Sequence, residues 1–156
     1  MANAMFGAGC FWGVEATFRA VKGVSAVEVG YAGGDKDNAS YEEVCAGNTG
    51  HAEVVRIDFD PDQVSYGELL DVFWGCHNPT TLNRQGPDHG SQYRSVIFTF
   101  DDGQMADAEK SKTAKDTSGV FPNPIVTAIE PAGSYWRAED YHQNYFKKEG
   151  IEACPV

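Results

Sequence analysis

Apolar and polar positions change their period several times along the chain, and each change marks an element. Residues 4–7 form a short apolar run that enters the turn Gly7-Ala8-Gly9, the pattern of a strand feeding a tight bend. Phe11, Val14, Phe18 and Val21 then recur at three- and four-residue steps, so one face of a helix is apolar, and Gly23 closes it. Residues 24–31 read as a second strand, stopped by Gly33-Gly34. Ser40 is placed to cap a helical turn over 41–46. Alternation returns over 51–60 and predicts a third strand. Ser65, with Glu68 three residues on, forms a capping box ahead of Leu69, Leu70, Val72 and Phe73. Residues 77–93 are rich in Asn, Gly, Pro and Asp, a connection of the length that in compact domains is functional or disordered. A strand over 94–100, a polar surface helix over 101–118, a strand over 125–130 and an amphipathic helix over 139–148 complete the pattern.

The resulting order, β-α-β-β-α-β with a further helix and strand, predicts an α+β fold: a two-layer domain of the split βαβ kind. No repeat, low-complexity tract or linker divides it, so residues 1–156 read as one domain. Composition narrows the partners. Twelve Lys and Arg against 23 Asp and Glu give a net charge of -11, which opposes binding to nucleic acid or to an anionic membrane. No segment approaches the ~18 apolar residues that would span a bilayer. The uncharged residues 1–14 lack the basic start of a signal peptide, so the expected location is cytoplasmic. Four scattered cysteines, Cys10, Cys45, Cys76 and Cys154, make no disulfide scaffold or paired zinc spacing and read as thiols in a reducing compartment.

Two of these positions carry candidate chemistry. Cys10 lies at a glycine-flanked strand-to-helix turn, where helix N–H groups and the helix dipole favour a thiolate. That is a place for a nucleophile; the plain alternative is a small buried hydrophobe. Phe11 and Trp12 follow it, and neighbours ~100° apart on a helix cannot both face the core, so one of them lines a site or covers a loop. On the third strand, period two puts Glu53 in phase with Val55, Ile57 and Phe59. A carboxyl in that register is desolvated and kept neutral, and is fit to act as a general acid, unless it reaches water at the strand end.

The run Gly9-Cys-Phe-Trp-Gly13 resembles the signature of the A-type peptide methionine sulfoxide reductases. Further blocks follow in that family's order: Val29-Gly-Tyr-Ala-Gly-Gly34, Tyr41-Glu-Glu-Val-Cys45, Thr49-Gly-His-Ala-Glu-Val54, Asn78-Pro-Thr80, Asn83-Arg-Gln-Gly86, Asp88-x-Gly-x-Gln-Tyr-Arg-Ser95 and Ala138-Glu-Asp-Tyr-His-Gln143. The resemblance implies a ferredoxin-like α+β fold and reduction of the S epimer of methionine sulfoxide, free or in proteins. It implies Cys10 as the nucleophile, Glu53 as the proton donor to the sulfoxide oxygen, and Tyr41 and Tyr93 as hydrogen-bond donors to that oxygen. It further implies Asp88 on the polar side, through water or the nearby chain, and Phe11 and Trp12 as the wall for the S-methyl group. The Cys10 sulfenic acid would be resolved by Cys154, carried on a mobile tail over 147–156, with thioredoxin as external dithiol reductant and no bound cofactor or metal. Two departures stand out: Pro87 where Asn is common, and Ile-Glu-Ala before Cys154 where a Gly-Tyr-Cys-like run is common. Cys45 then reads as structural and Cys76 as the reserve resolving thiol. Rival readings are a cysteine hydrolase using Cys10 with His51, a zinc set from Cys45, Cys76, His77 and His89, and a non-enzymatic methionine-binding or redox-sensing module.

Overall fold

The computed structural model describes residues 2–34, 40–46, 49–86 and 88–143. Strand β1 (Ala2–Ala8) enters helix α1 (Phe11–Arg19), which returns to β2 (Val24–Ala32). The one-turn helix α2 (Tyr41–Cys45) precedes β3 (Ala52–Phe59) and helix α3 (Tyr66–Gly75). A two-stranded ribbon, β4 (Arg84–Gln85) with β5 (Asp88–His89), and a 3-10 turn at Ser91–Tyr93 lead into β6 (Ser95–Thr99). Helix α4 (Asp102–Thr117), β7 (Ala128–Pro131), β8 (Tyr135–Arg137) and a 3-10 turn at Asp140–His142 follow. The architecture is α+β.

Six strands form one sheet in the order β7-β6-β1-β3-β2-β8. The pairs β1–β3, β2–β3, β1–β6 and β2–β8 are antiparallel, and β6–β7 is parallel. The apolar faces of α1 (Phe11, Val14, Phe18) and α3 (Leu69, Leu70, Phe73, Trp74) join Phe6, Val29, Val55, Ile57 and Ile97 in one core cluster. A smaller cluster of Met5, Ala52, Val54, Val96 and Phe98 forms a second core. Polar helix α4 buries only Gln104 and Ala108. It is pinned to α3 by the Trp74 indole N–H, which donates to Ser111 Oγ at 2.8 Å.

Several boundaries differ from expectation. The segment 77–93 holds the β4–β5 ribbon and a 3-10 turn rather than an irregular loop. The strand expected from 125 begins at Ala128, because the Ile125 N–H is taken by Asp116 and the Val126 N–H by the Pro79 carbonyl. The amphipathic helix expected over 139–148 is, in its described part, only the 3-10 turn at Asp140–His142, with Gln143 already extended. The Gln143 amide is drawn to the backbone of β2 instead, at Val29. Residues 144–148 of that expectation, the tail over 147–156 with Cys154, and Pro87 lie outside the described residues.

Candidate active site

Cys10 is the N-cap of α1, where β1 turns into the helix. Gly9 before it has a φ of 96°, and a Cβ there would come within 2.8 Å of Gln85 Cγ. Glycine alone meets both demands. Gln85 is held there by Asn78, whose N–H donates to Gln85 Oε1 at 3.0 Å and whose carbonyl accepts from Gln85 Nε2. The chain beyond α3 is therefore folded back over the Gly9 turn. The first turn of α1 holds no acidic side chain, so the partial positive charge at its start is available to a thiolate at Cys10.

Glu53 stands opposite Tyr31 in the β2–β3 ladder and is 1 % exposed. Its Oε1 accepts the Phe11 backbone N–H, the first amide after Cys10, at 3.2 Å. Its Oε2 has no hydrogen-bond partner among the described residues. Burial pushes its pKa up to about 8; the Phe11 N–H opposes that rise and the Asp88 charge adds to it. A neutral carboxyl with its proton on Oε2 is thus a buried donor placed next to the start of α1.

Tyr41 opens α2, and a reciprocal Ser40–Glu43 capping box fixes that turn. Tyr93 ends the 3-10 turn that leads into β6. Burial pushes both phenols above their ordinary range, so both remain donors. The Cys45 thiol lies within electrostatic reach of both hydroxyls. Glu53 lies within electrostatic reach of both tyrosines, while Cys10 and Asp88 lie within reach of Tyr93. The two adjacent aromatics divide as their helical spacing demands. Phe11 is 1 % exposed and packs against Tyr31 and His142, whereas Trp12 is half-buried and stacks on Tyr41 with centroids 6.1 Å apart.

A family model described as "Peptide methionine sulfoxide reductase" matches residues 2–156. The peptide methionine sulfoxide reductase MsrA of Methanoculleus marisnigri is 60% identical over 152 residues, 97% of this chain and 93% of that protein. The chain belongs to the peptide methionine sulfoxide reductase family. The crystal structure of reduced Mxr1 from Saccharomyces cerevisiae superposes with a TM-score of 0.91 at 37% identity, covering 99% of this chain and 89% of that one. The same yeast protein in complex with Trx2 superposes at 0.66 and 25% identity, covering 99% and 86%.

Within this peptide methionine sulfoxide reductase, the fold brings Cys10, Glu53, Tyr41, Tyr93, Asp88, Phe11 and Trp12 to one end of the central strands. Three further residues at this site escaped sequence reasoning. Cys45, expected to be structural, lies within electrostatic reach of both tyrosines; its i,i+4 spacing from Tyr41 on one short helix was the available signal. Glu139 accepts the Tyr41 N–H at 3.1 Å and the Tyr31 hydroxyl at 2.9 Å. His142 Nδ1 accepts the Trp12 indole N–H at 3.0 Å. Nothing local in the sequence marks these two contacts. Cys76, the reserve resolving thiol, is half-buried; it donates to the Phe73 carbonyl at 3.3 Å, and burial pushes its pKa up to about 12. His77, one of the four residues of the zinc reading, is spent on Phe73 and Ser95. His51 Nδ1 accepts the Gly34 N–H at 3.0 Å, which leaves the proton of the neutral ring on Nε2 and no basic nitrogen for a hydrolase dyad.

Proposed function

We propose that this protein reduces the S epimer of methionine sulfoxide to methionine, with Cys10 as the nucleophile. The observation that carries the reading is Glu53. It is a buried carboxyl kept neutral up to about pH 8 and bonded to the first amide after Cys10. Attack of the Cys10 thiolate on the electrophilic sulfur throws negative charge onto the sulfoxide oxygen. Glu53 supplies a proton there, and the Tyr41 and Tyr93 hydroxyls donate to the same oxygen. Asp88 keeps the polar side of the site and helps hold Glu53 in its protonated form. Trp12 forms the apolar wall for the S-methyl group, backed by Phe11.

The oxygen passes to Cys10, methionine leaves, and the sulfur of Cys10 gives up two electrons to become a sulfenic acid. Condensation with the Cys154 thiol expels water and forms a disulfide, which an external dithiol reduces. A thioredoxin is the reductant this reading assigns, supported by the complex of the yeast relative with Trx2. Such electrons are available in the cytoplasm, the location assigned here; among the described residues no helix is long and apolar enough to cross a membrane. The four strands β6-β1-β3-β2, each antiparallel to the next, support the ferredoxin-like description of the core, with β7 and β8 as additions. The expected outcome in a rapid-mixing experiment is a burst of methionine from the S-sulfoxide and none from the R epimer. Cys10→Ser abolishes the burst. Turnover by that variant at the wild-type rate overturns the mechanism.

A further inference from the structure

The segment 138–143 leaves β8 and is fastened to β2 by its last side chain. Gln143 accepts the Val29 N–H at 2.9 Å and donates to the carbonyls of Val29 at 2.9 Å and Ala138 at 3.0 Å. The Ala138 N–H donates to the Val29 carbonyl at 3.0 Å. This anchoring sets Glu139 and His142 against the back of the site. The His142 ring is 1 % exposed, with its centroid 4.3 Å from that of Tyr41, 5.3 Å from Phe11 and 5.5 Å from Trp12. Its Nδ1 accepts the Trp12 indole N–H at 3.0 Å. An indole nitrogen only donates, so Nδ1 carries no proton, and the neutral ring keeps its proton on Nε2. Burial holds the imidazole below its ordinary pKa, with Glu139 opposing, so this acceptor persists at neutral pH.

We propose that His142 is a specificity-determining positioning residue, which holds the Trp12 indole by its N–H and so sets the width of the aromatic wall against the S-alkyl group of the substrate. This rests on the reading of Trp12 as that wall. His142 acts through Trp12 and does not touch the sulfoxide. Remove the acceptor and the indole N–H loses the hydrogen bond to Nδ1 that fixes the ring, which lets the half-buried ring turn toward water. A turned indole loosens contact with a methyl group and relieves crowding of a larger one.

The test uses the S epimers of methionine sulfoxide and ethionine sulfoxide with the full chain. H142F keeps an aromatic ring without the acceptor; H142N places an amide oxygen where Nδ1 stood. H142F is expected to raise KM for methionine sulfoxide about tenfold with kcat held within about twofold, the effect of an unsatisfied indole donor. Its methyl-over-ethyl preference in kcat/KM falls several-fold, and H142N restores most of both. In a W12F background, which has no indole N–H, H142F changes neither quantity. If H142F folds poorly by circular dichroism, H142L replaces it, an apolar side chain with no acceptor. Wild-type KM and preference in the variant lacking the acceptor overturn the proposal. So does an equal effect in the W12F background, or a failure of H142N to rescue. If the wild-type enzyme itself does not reduce methionine S-sulfoxide, the reading beneath the proposal fails instead, and that outcome is distinct from all of these.

Discussion

Glu53 lies on a strand beside Val55 and Ile57, which are fully buried, and its carboxyl shares their surroundings. Its pKa rises from an ordinary 4.5 to about 8 on folding. Between those values the native chain holds a proton that the unfolded chain has released. Stability drawn from this group is therefore fully present below pH 4.5 and is lost as pH rises through about 8. Within that window the wild type should lose ~1.4 kcal/mol per pH unit relative to Glu53→Gln, read from denaturant midpoints at successive pH values. Equal slopes in the two proteins would refute the neutral buried carboxyl. The same proton governs the chemistry. Glu53→Gln should slow single-turnover methionine release by roughly 10²- to 10⁴-fold, the usual worth of a positioned acid, and should lose the alkaline fall-off that the wild type shows near its pKa. At this scale the thiols also separate. Burial holds the Cys76 thiol protonated, and burial also raises the pKa of the Cys45 thiol.

Among the elements, the turn between β1 and α1 carries the heaviest constraint. Gly9→Ala asks an alanine to adopt a φ of 96° and to press its Cβ against Gln85. A left-handed residue bearing a side chain costs ~1–2 kcal/mol before any contact is counted. Thermal melting should fall accordingly, and kcat/KM should fall further than stability explains, because Gln85 and the chain it anchors move away from Cys10. Wild-type kcat/KM in a destabilised Gly9→Ala enzyme would show that the turn is only structural. Elements with local signals were legible. The serines that open α2 and α3 each complete a capping box, one foreseen whole and the other through its serine. Strand β8 was missed, since it pairs only three residues with β2, and neighbours far off in the chain decide its conformation.

At the scale of the molecule, the sheet order β7-β6-β1-β3-β2-β8 carries the end of β1, the start of β3 and the 3-10 turn before β6 to one place. In the proposed mechanism the cycle is completed by Cys154, near the far end of the sequence. Cys154→Ser should release one methionine per enzyme and stop, with Cys10 left as a sulfenic acid and no disulfide in the peptide map. A Cys10–Cys45 disulfide in the wild-type map after reaction would overturn the assignment of Cys154, for Cys45 is the exposed thiol beside the two tyrosines.

The sequence by itself determined the order of the main elements from β1 to β7, a cysteine at a glycine-bounded helix start, and a carboxylate in the apolar register of a strand. These follow from local period, capping and backbone freedom, which short stretches of chain encode. Only the tertiary structure decided that Tyr93 comes near Cys45 and Glu53, that Glu139 grips Tyr41 and Tyr31, and that His142 holds Trp12. Those contacts join residues up to 130 positions apart. Their geometry depends on strand order and on how Gln143 ties the segment after β8 to β2, and no local pattern of residues records either.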